Sequence, residues 1–380
     1  MSDPALAPSE AYDAIAPRLR RWPDVEAHDL VAADASDRLI LAEAGELPRD
    51  VVVIGDRYGA LALSVLRADP GVRVRMHQDA LTGERAVAAN AERLGVDVTE
   101  RITWHDLDAS LTAGAELVLL QLPRGLDALD EIAGAIADHA EPSARVVAGG
   151  RVKHMTHSMS DVLAAHFGTL RASRGVSKSR VLHATAPVRG ATDRWPRAER
   201  HEDVGITLCA HGGAFAGASL DIGTRFLLGF LPDMPHAASA IDLGCGTGAI
   251  AAAYAAARPS AHLIATDRSS AAVASARATM RANGVADRVE VVRDDGLASQ
   301  PDASADLVLL NPPFHSGSAV TDAIAPRLFA HAARVLRPGG ELWTVWNSHL
   351  RYRSQLQRIV GETRQIGRNR TFTVTASRRS

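Results

Sequence analysis

The residues with chemistry to offer stand at the ends of short apolar runs in the second half of the chain. "AIDLGCGTGAIAAAYAAARP" (240–259) is an apolar run, a turn carrying Gly244, Gly246 and Gly248, and an alanine-rich stretch closed by Pro259. Glycines let the backbone turn sharply and let a ligand approach it, while the helix that follows offers N–H groups at its start. Asp267 ends the next run, "HLIATD" (262–267), where an acid either binds ribose hydroxyls or caps the following helix. Asp242, inside the first corner, needs a cation, a water network or loop N–H groups around its carboxylate. Asp294 and Asp295 close a third run, "VEVVRDDG" (289–296), placed for an adenine amino group or for a plain surface turn. A fourth run, "LVLLNPPFH" (307–315), stops on Asn311, Pro312, Pro313, Phe314 and His315. Two prolines forbid ladder hydrogen bonds and hold the chain extended, leaving one amide and one aromatic ring at the tip. Glycine loop and acids together describe a nucleotide-type site.

Positioning such a set takes a sheet whose strands end side by side. Short apolar runs alternating with helical stretches indicate a parallel sheet with crossover helices, an α/β fold. Strands are expected near 239–243, 262–266, 288–292, 306–310, 341–346 and 371–375, and helices near 248–257, 269–283, 321–335 and 351–360. The same block order occurs earlier in the chain, offset by about 189 residues. "VVVIGDRYGALAL" (51–63) lies over 240–252 with Gly55 on Gly244 and Gly59 on Gly248, and "LVLLQLPRG" (117–125) lies over the fourth run. Val53, Arg57 and Gln78 stand where Asp242, Gly246 and Asp267 would be, and "LPRG" replaces the asparagine–proline corner. Two tandem copies of one domain follow: residues 1–184, lacking the cofactor chemistry; a proline-, glycine- and charge-rich linker, 185–203; and residues 204–380, carrying the site.

Bulk properties agree with a two-domain globular chain. Of 380 residues, 46% are apolar and 23% charged, with a formal net charge of −2, which excludes a generally basic nucleic-acid coat. No stretch is apolar enough to cross a membrane and the N-terminus is not a secretory signal, so a cytoplasmic protein is expected. Cys209 and Cys245 read as free thiols, and no ligand spacing suggests a metal. Basic residues concentrate in 145–200 and 349–380, which either contact phosphates or form a solvated face and a disordered tail. Trp343 and Trp346 fall in an expected strand and are assigned to the core.

"DLGCGTG", "ATD", "RDDG" and "NPPFH", in this order, resemble a class I S-adenosylmethionine-dependent methyltransferase. With "FAGASLDIGTRFLL" (215–228), "NSHLRY" (347–352) and a degenerate first copy, the chain resembles the tandem-domain ribosomal RNA guanine-N2 methyltransferases, somewhat nearer the large-subunit enzyme. "FAGASLD" departs from the polar and basic run usual there. The resemblance implies two Rossmann-like methyltransferase domains, with S-adenosylmethionine held by Asp242, Gly244, Gly246, Gly248, Asp267, Arg268, Asp294, Asp295 and Asn311. It implies Asn311, Pro312, Pro313 and Phe314 at the reacting base, with Phe215, Asp221, Arg225 and His315 around the substrate.

A guanine exocyclic amine is a poor nucleophile, its lone pair being delocalised into the ring. The Asn311 side-chain carbonyl and the Pro312 backbone carbonyl would accept its N–H groups, and Phe314 would stack on the base. The target guanine in ribosomal RNA would be unpaired or flipped out. Rival acceptors for the same chemistry are adenine N6 and a protein glutamine amide. Rival classes are a nicotinamide-dependent dehydrogenase, which leaves the corner unexplained, and a non-catalytic RNA-binding assembly factor.

Overall fold

A computed structural model describes residues 6–27, 30–190, 194–313 and 319–380. The chain divides into two compact units between Trp195 and Pro196. The first holds a seven-stranded sheet of β1 (Asp50–Ile54), β2 (Arg73–His77), β3 (Ile102–Trp104), β4 (Leu117–Gln121), β5 (Arg145–Arg151), β6 (Phe167–Ala172) and β7 (Ser179–Pro187). Its order is β3-β2-β1-β4-β5-β7-β6, parallel except that β7 runs antiparallel to both neighbours.

The second unit opens with a hairpin of β8 (Arg197–His201) and β9 (Ile206–Ala210). It continues with β10 (Ser239–Leu243), β11 (His262–Asp267), β12 (Val289–Arg293), β13 (Ala305–Leu310), β14 (Leu336–Asn347), β15 (Thr363–Arg368) and β16 (Phe372–Arg378). The sheet order β12-β11-β10-β13-β14-β16-β15, with β16 antiparallel, repeats that of the first unit strand for strand. Register makes the repeat residue-specific: Ile54 pairs His77 as Leu243 pairs Thr266, so Gln78 follows its strand where Asp267 follows Thr266.

Both faces of each sheet are buried, which is why the central strands are continuous apolar runs rather than alternating ones. In β13, Leu307 and Leu309 enter the core on one face, Val308 and Leu310 the core on the other, all fully buried. Trp343 and Trp346 of β14 divide the same way and are core residues. Truncating a buried leucine such as Leu309 to alanine would cost about 2–5 kcal/mol.

Two features depart from the sequence reading. Residues 185–203 hold the end of β7 and all of β8, since Thr185 pairs Arg145 across the ladder and Arg197–His201 pairs Ile206–Ala210. The hairpin is tied to the helix Ser270–Ala282 and its end: the Thr207, Cys209 and His211 N–H groups donate to Asn283, Thr279 and Ser275 side chains at 2.9 Å. Nor is the C-terminus a disordered tail, because β15 and β16 complete the sheet. Among the described residues no helix is long and apolar enough to cross a membrane.

Candidate functional site

The glycine loop joins β10 to the helix Ala249–Ala257. Gly244, Gly246 and Gly248 all have left-handed backbones, with φ of 70°, 54° and 81°. The loop hangs on β11: the Gly244 and Cys245 N–H groups donate to the Thr266 carbonyl at 2.8 and 2.9 Å, and the Gly246 N–H donates to Asp267 Oδ2 at 3.0 Å. The glycines differ in what surrounds them. A Cβ on Gly244 or Gly246 would meet no atom within 4 Å, whereas one on Gly248 would strike Met280 at 2.7 Å and Ala276 at 3.1 Å. Gly248 is thus required by close packing against the helix Ser270–Ala282, and the open side of the loop belongs to the first two.

Asp242 is fully buried in β10. Its Oδ2 accepts the Ala251 N–H at 2.9 Å, while Oδ1 has no partner among the described residues. Burial pushes its carboxyl up to about 7, and the charge of Asp267 adds to the rise. A buried carboxylate oxygen without a donor is costly and marks a place for a cation or a donor group.

Asp267 is not the helix cap. Ser269 is, its Oγ accepting the Ala272 N–H at 3.1 Å. Asp267 Oδ1 accepts the Ser269 N–H at 2.9 Å, so this one carboxylate joins the loop to the helix start. Arg268 beside it is exposed. Asp294 and Asp295 are both buried, against the surface-turn alternative. Asp294 Oδ2 takes the Ser299 N–H and hydroxyl at 2.9 and 2.8 Å, and Asp295 pairs with Arg327 at 2.5 Å.

β13 lies directly beside β10, Leu310 pairing Leu243, so its C-terminal corner opens next to the glycine loop. Asn311 is the first residue past the strand. Its Nδ2 donates to Asp221 Oδ2 at 2.9 Å and Thr224 Oγ1 at 2.8 Å, and its Oδ1 accepts nothing among the described residues. Asp221 caps the short helix Ile222–Leu228 by accepting the Thr224 N–H at 2.9 Å. Pro312 is buried and Pro313 exposed; Phe314 and His315 lie outside the described residues. Phe215 is exposed, as is Ile222. Arg225 forms an ion pair with Asp203. Sequence reasoning missed Thr224 and Gly223, although an aspartate three residues ahead of a threonine and an apolar run is a helix-start signature.

Several basic residues expected at phosphates are engaged within the fold. Arg145 donates to the Ala44 and Glu46 carbonyls, Arg364 to Glu341, and Arg379 to the Arg334 and Leu336 carbonyls.

The corresponding loop of the first unit is filled by its own side chains. Asp56, fully buried, accepts the Gly59, Leu61 and Ala62 N–H groups at 2.9, 2.9 and 2.8 Å. A Cβ on Gly55 would meet the Gln121 carbonyl oxygen at 3.2 Å, where its counterpart Gly244 faces open space.

Two sheets of the order 3-2-1-4-5-7-6, one with an open glycine loop and acid-ended neighbouring strands, define a Rossmann-like methyltransferase fold in tandem. Family models agree, with "Methyltransferase small domain" matching residues 205–376 and "RLMG N-terminal domain" matching residues 11–188. The ribosomal RNA large subunit methyltransferase G of Streptomyces coelicolor is 38% identical over 369 residues, covering 94% of this chain and 96% of that protein. Its namesake from Pseudomonas paraeruginosa is 37% identical over 362 residues, covering 94% and 96%. This chain belongs to the ribosomal RNA large subunit methyltransferase G family. The fold is also that of the Thermus thermophilus 16S rRNA N2 G1207 methyltransferase, solved with AdoMet and guanosine, at a TM-score of 0.71, 20% identity and 91% and 92% coverage.

Proposed function

We propose that this protein methylates the exocyclic N2 of a guanine in large-subunit ribosomal RNA, using S-adenosylmethionine, with residues 204–380 carrying the chemistry and residues 1–184 supporting it. The observation that carries this reading is the Asn311 amide, held by its nitrogen with its oxygen left as an unengaged acceptor beside an open glycine loop. The family's name supplies the RNA.

The loop fits such a donor. Asp242 Oδ1 lacks a partner where an ammonium could be received, and the open faces of Gly244 and Gly246 admit close approach. Asp267 would take ribose hydroxyls, with Arg268 next to it, and Asp294 and Asp295 would flank the adenine edge. S-adenosylmethionine supplies an activated methyl on a sulfonium, so the protein's work is alignment and electrostatics. Asn311 Oδ1 and the Pro312 carbonyl accept the two N–H groups of the amine, turning its nitrogen toward the methyl and favouring the pyramidal form. Phe314 would stack on the base, and His315 would line its pocket or cap the following turn, the guanine having left its pairing partners. Phe215 would add apolar surface for the base.

Mass mapping of methylguanosines tests the proposal. Large-subunit RNA from a deletion strain should lack one N2-methylguanosine, and purified protein with S-adenosylmethionine should restore it. An unchanged methylguanosine map would refute it.

A further inference from the structure

An asparagine amide has two unlike ends, and catalysis by Asn311 needs the oxygen outward. Both Nδ2 hydrogens are engaged, one by Asp221 Oδ2 at 2.9 Å and one by Thr224 Oγ1 at 2.8 Å. A carboxylate accepts hydrogen bonds and cannot donate them. Flipping the amide would set its oxygen against Asp221 Oδ2, acceptor on acceptor. The carboxylate cannot turn away readily, because the same Oδ2 accepts the Thr224 N–H at the start of the helix Ile222–Leu228. Gly223, between the two anchors, keeps the space beside the amide clear: a Cβ there would lie 3.1 Å from Asp221 Oδ2 and 3.5 Å from Asn311 Oδ1.

We infer that Asp221 is a positioning residue for the methyl-accepting amine. It fixes the orientation of the Asn311 amide, with Thr224 as the second anchor, so that the acceptor oxygen is preset before substrate arrives. Presetting matters because each bond made to the amine must be in place at attack. The inference rests on the proposed role of Asn311. It differs from direct substrate binding by Asp221, whose Oδ2 is already occupied by two protein donors.

Four full-length variants test it: Asp221→Ser, Asp221→Asn, Asn311→Ala and the double variant Asp221→Ser/Asn311→Ala. The assay is single-turnover methylation of large-subunit RNA from a deletion strain, with S-adenosylmethionine affinity by calorimetry and melting temperature measured alongside. Serine keeps the helix cap but is too short to hold the Asn311 nitrogen, so turnover should fall on the order of 10²-fold, as for a misplaced reacting group. Cofactor affinity should stay within about twofold, since the cofactor loop is not touched. Asparagine at 221 can accept both bonds and should recover at least roughly tenfold over serine. In the Asn311→Ala background, Asp221→Ser should cost nothing more. Wild-type turnover in Asp221→Ser, no recovery by Asp221→Asn, or additive losses in the double variant would each overturn the inference, even if Asn311→Ala is inactive. Full activity of Asn311→Ala would overturn the reading of the site itself, and with it this inference.

Discussion

Gln121 donates its side-chain amide to Asp37 in the first unit, and it does so from the position Asn311 holds in the second. Leu120 pairs Ile54 as Leu310 pairs Leu243, so the two amides follow equivalent strand ends. Asp37 is the third residue of the helix Ala35–Glu43, as Thr224 is of Ile222–Leu228. An amide tying the fourth strand to the start of a helix is therefore common to both units. In the second the amide oxygen is buried and has no partner among the described residues.

Asp37 makes the first unit sensitive to pH. Burial pushes its carboxyl up to about 8, with the charges of Asp56 and Asp34 contributing. The folded state holds the proton more tightly than the unfolded chain, so stability is lost as pH rises from about 4 through about 8, by up to ~1.4 kcal/mol per unit. Asp37→Asn should flatten this slope in thermal unfolding of the full chain between pH 5 and 8. A residual slope belongs to Asp242, which burial raises to about 7.

Asp267→Ala should weaken S-adenosylmethionine binding by roughly tenfold or more, the loss expected for hydrogen bonds to a charged group. The Gly246 and Ser269 N–H groups lose their acceptor at the same time, so the melting temperature should fall as well. Calorimetric titration reads the first effect and a thermal scan the second. Unchanged affinity with a lowered melting point would make Asp267 a purely structural tie.

Two glycines of one loop should fail in different ways. Gly246→Ala places a methyl in open space with only the left-handed backbone cost of about 1–2 kcal/mol, and should chiefly impair cofactor binding. Gly248→Ala drives a Cβ into Met280 and Ala276 and should chiefly lower stability. Comparing affinity and melting point for both variants separates the ligand face of the loop from its packing face.

Gly223→Ala offers a third separation. Alanine favours a helix by about 1 kcal/mol over glycine, yet here its Cβ would press on Asp221 Oδ2 at 3.1 Å and Phe372 at 3.3 Å and touch Asn311 Oδ1 at 3.5 Å. Methylation should fall while cofactor affinity holds, measured by single turnover and calorimetry.

Strand positions and the parallel sheet were legible in the sequence because both faces of each sheet are buried. Continuous apolar runs such as 307–310 and 51–54 suit strands buried on both faces, and the repeat of the blocks gives the tandem architecture. Asp242, Gly244, Gly246, Asp267 and Asn311 were legible as residues, since each breaks an apolar run at its end. Their partners were not. Thr224 and Gly223 lie about ninety residues from Asn311, and only the packing of the helix Ile222–Leu228 on the sheet, with Phe226 stacked on Phe372 of β16, brings them to the corner. The hairpin of β8 and β9 was hidden because its outward face is charged, Arg197, Glu199 and Arg200 among it, which reads as linker composition.

Asp56 has a thermodynamic consequence for the whole chain. Its carboxylate occupies the donors at the start of the first unit's helix, so that loop already carries its anion covalently and at fixed stoichiometry. With the methyl donor in the second unit's loop, as proposed, mass action bears on that loop, whereas the first loop is held by a carboxylate that cannot dissociate.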